Sequence, residues 1–220
     1  MIPRIPNPRL LPTRDTIRTM PPFDGLDLEN IRLVTTPAEA TAALNALRGH
    51  SFIGFDTESR PTFIKGQRSA GPHVLQFATP DCAYIFQTCH RLCEPVVAKI
   101  LESNRLVKVG FGLNDDIKRI AGKLHIHPKA VIDLDAVFKI NFELKNSIGV
   151  KTAIAFLFKK RFVKSHKSTT SNWSNRTLSE RQLLYAANDA WAALIVFREL
   201  ERIGVDFSQR QYQKPLSTKR

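Results

Sequence analysis

The sequence predicts an α/β fold in which a mixed β-sheet is flanked by α-helices. Short runs rich in β-branched and aromatic residues alternate with segments of helical periodicity along most of the chain. Three strand-like runs come in close succession before regular strand–helix alternation begins, an order that indicates both antiparallel and parallel strand pairs. A length of 220 residues is enough for one sizeable domain of this class.

Local signals place the elements in order. Residues 31–35 form the first predicted strand, and a helix follows over 37–48, with Thr36 as its N-cap and Pro37 in its first turn. The other predicted elements are strands 51–57, 73–78 and 82–87, helix 92–102, strand 106–110, helix 114–123, strand 130–134, helices 135–140 and 149–158, and helix 179–203.

Composition predicts the domain organisation and the setting. Six prolines within the first 25 residues predict a Pro-rich N-terminal arm over 1–25, ahead of one domain over 26–208 and a basic flexible tail over 209–220. The chain has no run of 18 apolar residues and no apolar secretory segment at its start, so we expect no membrane association and no export. An odd number of cysteines, three, favours a reducing, cytoplasmic setting.

The charge balance indicates the kind of partner. A formal net charge of +13 favours a polyanion, most often nucleic acid. A basic protein without such a partner is the alternative that charge alone leaves open.

Two carboxylates stand one residue apart at the end of strand 51–57. Because side chains i and i+2 of a strand project from the same face, Asp56 and Glu58 point into one small volume. Two like charges at that distance repel each other unless a cation lies between them. The pair therefore predicts a hard divalent metal ion and, with it, an enzyme.

Two other elements carry acidic residues in comparable places. Asp115 and Asp116 open the helix after strand 106–110, at the strand end where open α/β sheets commonly bind ligands, although acids there also complement the helix dipole. Tyr185 and Asp189 are one turn apart on a largely apolar helix, where an ion-paired Asp on a wet face is the alternative.

Taken together, the four acids favour a metal site over the helix-dipole and ion-pair alternatives. Asp56, Glu58, Asp116 and Asp189 offer an all-oxygen ligand set, which suits Mg²⁺ or Mn²⁺ rather than zinc. Two such ions form the usual clamp for phosphodiester hydrolysis. Tyr185, one turn before Asp189, is placed to orient the attacking water through a hydrogen bond.

Three motifs carry a family resemblance. They are Phe-Asp-Thr-Glu-Ser-Arg-Pro over 55–61, Val-Gly-Phe-Gly-Leu-Asn-Asp-Asp-Ile-Lys-Arg-Ile over 109–120, and Leu-Tyr-Ala-Ala-Asn-Asp-Ala over 184–190. At these residues the chain resembles the DEDD superfamily of 3′–5′ exonucleases, tyrosine subclass, close to the Werner-syndrome-type exonuclease domain and related to ribonuclease D. Each motif is weak by itself, whereas three in this order on these elements are specific.

The resemblance implies a ribonuclease H-like mixed β-sheet flanked by α-helices and metal-dependent release of mononucleotides from a 3′ end. It assigns Asp56, Glu58 and Asp189 to direct metal binding, Asp116 to a second ion, and Tyr185 to positioning of the nucleophile. The spacing to Ile120 favours Asp116 over Asp115 for this role, although a shift of one residue would exchange them.

The resemblance also bears on the substrate. The motifs look more Werner-like than ribonuclease D-like, so single-stranded, frayed or 3′-recessed DNA is the favoured substrate, with RNA possible. The alternatives are an exoribonuclease or nano-RNase acting on short RNA, and a non-catalytic nucleic-acid-binding domain.

Basic residues near the motifs are candidates for contacts to the nucleic-acid backbone. Lys65 and Arg68 lie on the predicted loop after the first motif, and Lys164 and Lys167 lie in a basic segment that also contains Phe162. Lysines that neutralise phosphates beside an aromatic ring on which a base stacks would form a strand-binding rim. A solvated loop is the alternative.

Overall fold

The structure, a computed structural model, describes residues 11–62, 70–163 and 170–207. Short 3₁₀ turns at Leu28–Asn30 and Arg91–Cys93 precede β1 and α3. The helices and strands are α1 (Arg14–Thr19), β1 (Ile31–Val34), α2 (Pro37–Arg48), β2 (Phe52–Glu58), β3 (Val74–Ala78), β4 (Ala83–Gln87), α3 (Glu94–Leu101), β5 (Val107–Gly110), α4 (Asn114–Leu124), β6 (Val131–Asp133), α5 (Leu134–Asn141), α6 (Val150–Phe158) and α7 (Glu180–Arg202).

A mixed sheet built by the described residues forms the centre of the fold. Its six strands lie in the order β1-β4-β3-β2-β5-β6. Strand β3 is antiparallel to both β2 and β4, whereas β1 pairs parallel with β4 and β5 pairs parallel with both β2 and β6. The predicted mixed sheet is therefore confirmed, and β2, which carries the acidic pair, lies inside it.

Helices cover both faces of the sheet. On one face, Ile53 and Phe55 of β2 pack in a core with α2, α3 and α4. On the other face, Phe52 packs against Phe197 of α7, with ring centroids 4.5 Å apart, and α5 and α6 pack around the same helix. Because side chains alternate along a strand, Asp56 and Glu58 project to the face that α7 covers.

The predicted helix 37–48 is found at the same residues because its start is specified locally. The Thr36 hydroxyl accepts a hydrogen bond from the Glu39 amide at 3.2 Å, and the Glu39 carboxylate accepts one from the Thr36 amide at 3.0 Å. In contrast, α1 forms within the stretch predicted as an extended arm. None of its residues is buried, so it leaves no apolar periodicity in the sequence.

Cys82, Cys89 and Cys93 are free thiols. Of the helices in the described ranges, none is both long and apolar enough to cross a bilayer. The cytoplasmic location stays a prediction.

Lys108 is a fully buried lysine on β5, in register with Ile53. Its ammonium donates hydrogen bonds to the carbonyl oxygens of Ser103 at 2.8 Å and Leu106 at 2.7 Å. Burial away from water disfavours the charged form and lowers the pKa of Lys108 from 10.5 to about 7.

Lys108 is therefore expected to make stability depend on pH. As the pH falls from 10.5 to about 7, the unfolded chain takes up a proton on Lys108 that the folded protein does not. The free energy of unfolding should fall across this window relative to a Lys108→Met variant, and the difference should level off below it. Urea denaturation at a series of pH values measures the difference, and a difference that does not change with pH would contradict the prediction.

Candidate active site

Three carboxylates meet between β2 and α7. Asp56 and Glu58 project from β2, and Asp189 projects from α7. One carboxylate oxygen of each residue lies within 4.8 Å of the other two. Asp189 is 5% exposed, and the two strand carboxylates are half-buried. Hard oxygen donors this close, with restricted access to water, fit a divalent cation of the Mg²⁺ or Mn²⁺ type.

A glycine on β2 allows the helix and the strand to come this close. A β-carbon on Gly54 would stand 1.9 Å from the carbonyl oxygen of Ala190. The backbone of α7 therefore packs directly against the strand, two residues before Asp56 and one residue after Asp189. Gly54 was not singled out in the sequence, because only the tertiary contact reveals the close approach.

Tyr185 lies one helical turn before Asp189 and is half-buried. Its ring packs against Trp173, which is fully buried, with centroids 5.7 Å apart. The segment that carries Trp173 is fixed to the sheet, since the Gln87 side chain donates a hydrogen bond to the Asn175 carbonyl at 2.8 Å. These contacts hold the tyrosine ring beside the carboxylate cluster.

The turn between β5 and α4 is held by Asp133, at the end of β6. Its carboxylate accepts hydrogen bonds from the amides of Gly112 and Leu113, each at 2.9 Å, and from the amide of Asp135 at 3.0 Å. Burial raises the pKa of Asp133, and these three amide donors oppose the increase. Sequence reasoning missed this positioning residue. The available signal was an acid at the end of a strand beside the second motif.

Asp116 lies outside the group of three, and its contact to β2 is made with Thr57, the residue between Asp56 and Glu58. Its carboxylate accepts a hydrogen bond from the Thr57 hydroxyl and lies 3.6 Å from the Arg119 guanidinium. Burial raises the pKa of Asp116, whereas the Thr57 hydroxyl and Arg119 lower it. Asp115 instead points outward, 70% exposed, and pairs with Lys118 at 3.1 Å. Of the two adjacent acids, Asp116 is the one that contacts β2.

Thr57 is expected to matter through Asp116. A Thr57→Val variant keeps the shape of a side chain that is 8% exposed but removes the hydroxyl donor. Without it, Asp116 loses the contact that holds it to β2, and we expect Mn²⁺ binding to weaken about tenfold. Calorimetric titration with Mn²⁺ measures the change, with Thr57→Ser as the control that keeps the donor. Equal affinities for the valine and serine variants would rule out this role.

Asp189 lines two cavities. One cavity of about 430 Å³ is also lined by Asp56, Phe111 and the start of α6, including Lys151. The other, of about 300 Å³, is lined by Tyr185, neighbouring residues of α7, and residues of the N-terminal arm. The first cavity therefore borders two of the three clustered carboxylates, and the second borders one.

The four basic candidates for nucleic-acid binding, Lys65, Arg68, Lys164 and Lys167, lie outside the described residues. Their role remains a prediction.

Comparison with known sequences adds an independent finding. A family profile described as 3′–5′ exonuclease matches residues 31–204. The bifunctional 3′–5′ exonuclease/ATP-dependent helicase WRN of Mus musculus is 27% identical over 153 residues, which are 69% of this chain and 11% of the mouse protein. A 3′–5′ exonuclease of Arabidopsis thaliana is 28% identical over 157 residues, 70% of this chain and 54% of the plant protein. The chain thus spans at most about half of these relatives.

Solved structures agree on the fold. The Nibbler EXO domain of Aedes aegypti matches with a TM-score of 0.68 at 24% identity, over 82% of this chain and 93% of that domain. Trypanosoma brucei RNase D matches with a TM-score of 0.71 at 19% identity, over 77% of this chain and 64% of that protein. They confirm the predicted ribonuclease H-like fold. Since the family profile covers most of the chain, including all three motifs, the protein belongs to the 3′–5′ exonuclease family.

Proposed function

We propose that the protein removes mononucleotides from the 3′ ends of single-stranded, frayed or 3′-recessed DNA, with two Mg²⁺ or Mn²⁺ ions as cofactors. The observation that carries the proposal is the meeting of Asp56, Glu58 and Asp189 within 4.8 Å on two different elements. Exonuclease activity and divalent-metal dependence follow from the family. The DNA preference, the identity of the metal and the number of ions are the proposed part.

The position of each residue in the site determines its proposed role. Asp56, Glu58 and Asp189 would hold the metal, and Asp116, which accepts a hydrogen bond from Thr57, would serve the second ion. When bound, the ions supply Lewis-acid stabilisation of charge on the phosphate and activation of water. The Tyr185 hydroxyl orients the attacking water by a hydrogen bond. Asp189 is 5% exposed, so its carboxylate is shielded from bulk water.

The preference for DNA rests on the likeness of the motifs and not on charge. The motifs resemble the Werner-type domain, and the mouse relative named above carries such an exonuclease. A net charge of +13 suits a polyanionic strand of either kind and does not distinguish DNA from RNA. Among the similar solved structures, the RNase D of Trypanosoma brucei was determined in complex with RNA, so RNA must be one arm of the test.

The test uses 5′-labelled DNA and RNA oligonucleotides of one sequence, each incubated with Mg²⁺, Mn²⁺ or EDTA. We expect a ladder shortening from the 3′ end, faster on DNA, and no cleavage in EDTA. Faster cleavage of RNA would replace the DNA proposal by an exoribonuclease, because dependence on the 2′-hydroxyl marks an RNA enzyme. Binding of either oligonucleotide without cleavage in any metal would indicate the non-catalytic alternative.

A further inference from the structure

Gln76 is a fully buried glutamine at the centre of the sheet. It is the middle residue of β3, a strand whose five residues are all buried. Glutamine is mostly found at protein surfaces, and a side-chain amide that is buried normally forms hydrogen bonds. Neither Nε2 nor Oε1 of Gln76 has a hydrogen-bond partner among the described residues. Because burial of an unpaired amide costs free energy, this position calls for a reason beyond packing.

The strand register places Gln76 beside one of the three clustered carboxylates. Strands β2 and β3 are antiparallel, and Gln76 lies directly opposite Asp56. Directly opposite residues of an antiparallel pair project from the same face of the sheet, with their β-carbons about 4.5–5.5 Å apart. A glutamine side chain is long enough to span this gap. The Gln76 amide is therefore within reach of the Asp56 carboxylate.

The surroundings of Gln76 on this face of the sheet are mostly apolar. Val74 and Ala78, two positions to either side of it on β3, belong to one apolar core together with Ile85. Ile85 is the residue opposite Gln76 on β4. Of the two direct neighbours of Gln76 across the strands, only Asp56 thus carries a polar side chain. A buried amide at this place points to the carboxylate as its partner.

We propose that Gln76 is a positioning residue of the metal site, whose Nε2 donates a hydrogen bond to the Asp56 carboxylate when a metal ion is bound. The inference rests on the proposed function, which assigns Asp56 to the metal. Carboxylates that bind metal ions generally accept hydrogen bonds from neighbouring groups, and these bonds orient them toward the ion. The Asp56 carboxylate accepts one from the Thr57 amide at 2.8 Å. A carboxylate has about four acceptor positions, so it can accept another and still bind metal.

A positioning role and a purely structural role predict different effects of the same substitution. An amide that only fills space in the core could be replaced by an apolar side chain of similar size without loss, since an unpaired buried amide adds no stability. An amide that orients Asp56 could not be replaced in this way without weakening metal binding. Metal affinity and metal-free stability must therefore be measured on the same variant.

The test compares the wild-type protein with Gln76→Met, which keeps the length of the side chain and removes the amide. Calorimetric titration measures the affinity for Mn²⁺, and a thermal melt in EDTA measures the stability of the metal-free fold. We expect Mn²⁺ binding to weaken about tenfold, as for loss of a group that orients a metal ligand. We expect the melting temperature in EDTA to be equal to that of wild type or higher.

Two further backgrounds establish which carboxylate Gln76 acts on. In Asp56→Ala the carboxylate is removed, so adding Gln76→Met should cause no further loss of the stabilisation that Mn²⁺ confers. In Glu58→Gln the carboxylate of Asp56 is kept, and the loss caused by Gln76→Met should remain about tenfold. Such a difference between backgrounds is expected when two residues act as a pair.

Leu75→Met is the matched control. It introduces the same side chain at the adjacent residue of β3, which packs with Phe55 and Phe77 in the core on the other face of the sheet. A change from leucine to methionine conserves the volume of the side chain and is well tolerated in cores. This variant should bind Mn²⁺ with wild-type affinity.

Each result decides the proposal. Equal Mn²⁺ affinities for Gln76→Met and the wild-type protein would overturn the inference and leave the exonuclease proposal intact. A lower melting temperature in EDTA would mean that the amide serves the packing of the core, and the inference would fall. So would a further tenfold loss in the Asp56→Ala background, or an equal loss in Leu75→Met. A wild-type protein that binds no Mn²⁺ would remove both the proposed metal and the inference.

Discussion

An Asp56→Asn variant is expected to lose activity on 3′ ends by about a thousandfold. Asp56 is one of the three carboxylates that meet within 4.8 Å, and the substitution keeps its shape while removing its charge. If metal binding supplies about 4 kcal/mol of transition-state stabilisation, its loss corresponds to roughly this factor in rate. Initial rates on a labelled oligonucleotide in saturating Mn²⁺ measure it.

The same variant should respond differently to metal in a stability assay. Three like charges close together repel one another in EDTA, so removing one should leave the melting temperature unchanged or higher. Mn²⁺ should raise the melting temperature of the wild-type protein, because a ligand that binds only the folded state stabilises it. We expect that increase to be mostly lost in Asp56→Asn, which separates a metal-binding defect from misfolding.

Asp115→Asn is the matched control. It makes the same chemical change at an acid that is 70% exposed and contacts Lys118 rather than the cluster. Its activity and its Mn²⁺ response should equal those of the wild-type protein. Full activity in Asp56→Asn, or a loss as large in Asp115→Asn, would refute the assignment of the site.

The three clustered carboxylates could be found from sequence because their signals are local. Asp56 and Glu58 share a strand face by the two-residue period, and Asp189 interrupts an apolar helix at one turn from Tyr185. The helix that carries Asp189, α7, also begins with a local capping box formed by Ser179 and Gln182. The spacing to Ile120 favours Asp116 over Asp115, and Asp116 is the one of the two that contacts Thr57 on β2.

The parts that could not be predicted depend on contacts between distant residues. Asp133 reaches across from β6 to hold the turn before α4, and its place at the end of a strand does not indicate which turn it contacts. The Leu26 amide donates a hydrogen bond to the side chain of Asn188, which is 162 positions away in the chain. Local patterns report which face of an element is apolar, whereas these contacts follow from how the elements pack.

Gly54 lies where α7 packs on β2 beside the clustered carboxylates. A Gly54→Ala variant should therefore lower both the stability of the protein and its affinity for Mn²⁺. The added β-carbon would stand 1.9 Å from the Ala190 carbonyl oxygen and 2.7 Å from its carbonyl carbon, both of them backbone atoms. The strand and the helix must therefore move apart. We expect a loss of about 3 kcal/mol in the free energy of unfolding, as for an overpacked core. Urea denaturation measures it.

The displacement should also separate Asp189 from Asp56, so the folded fraction of Gly54→Ala should bind Mn²⁺ weakly. Gly122→Ala is the matched control, because its added β-carbon on α4 meets no atom within 4 Å among the described residues other than its chain neighbours and its own helix backbone. Alanine is the better residue inside a helix, so this control should gain roughly 0.5–1 kcal/mol and keep wild-type Mn²⁺ affinity. If Gly54→Ala were as stable as wild type and bound Mn²⁺ equally well, the close packing of α7 on β2 would not be what brings the carboxylates together.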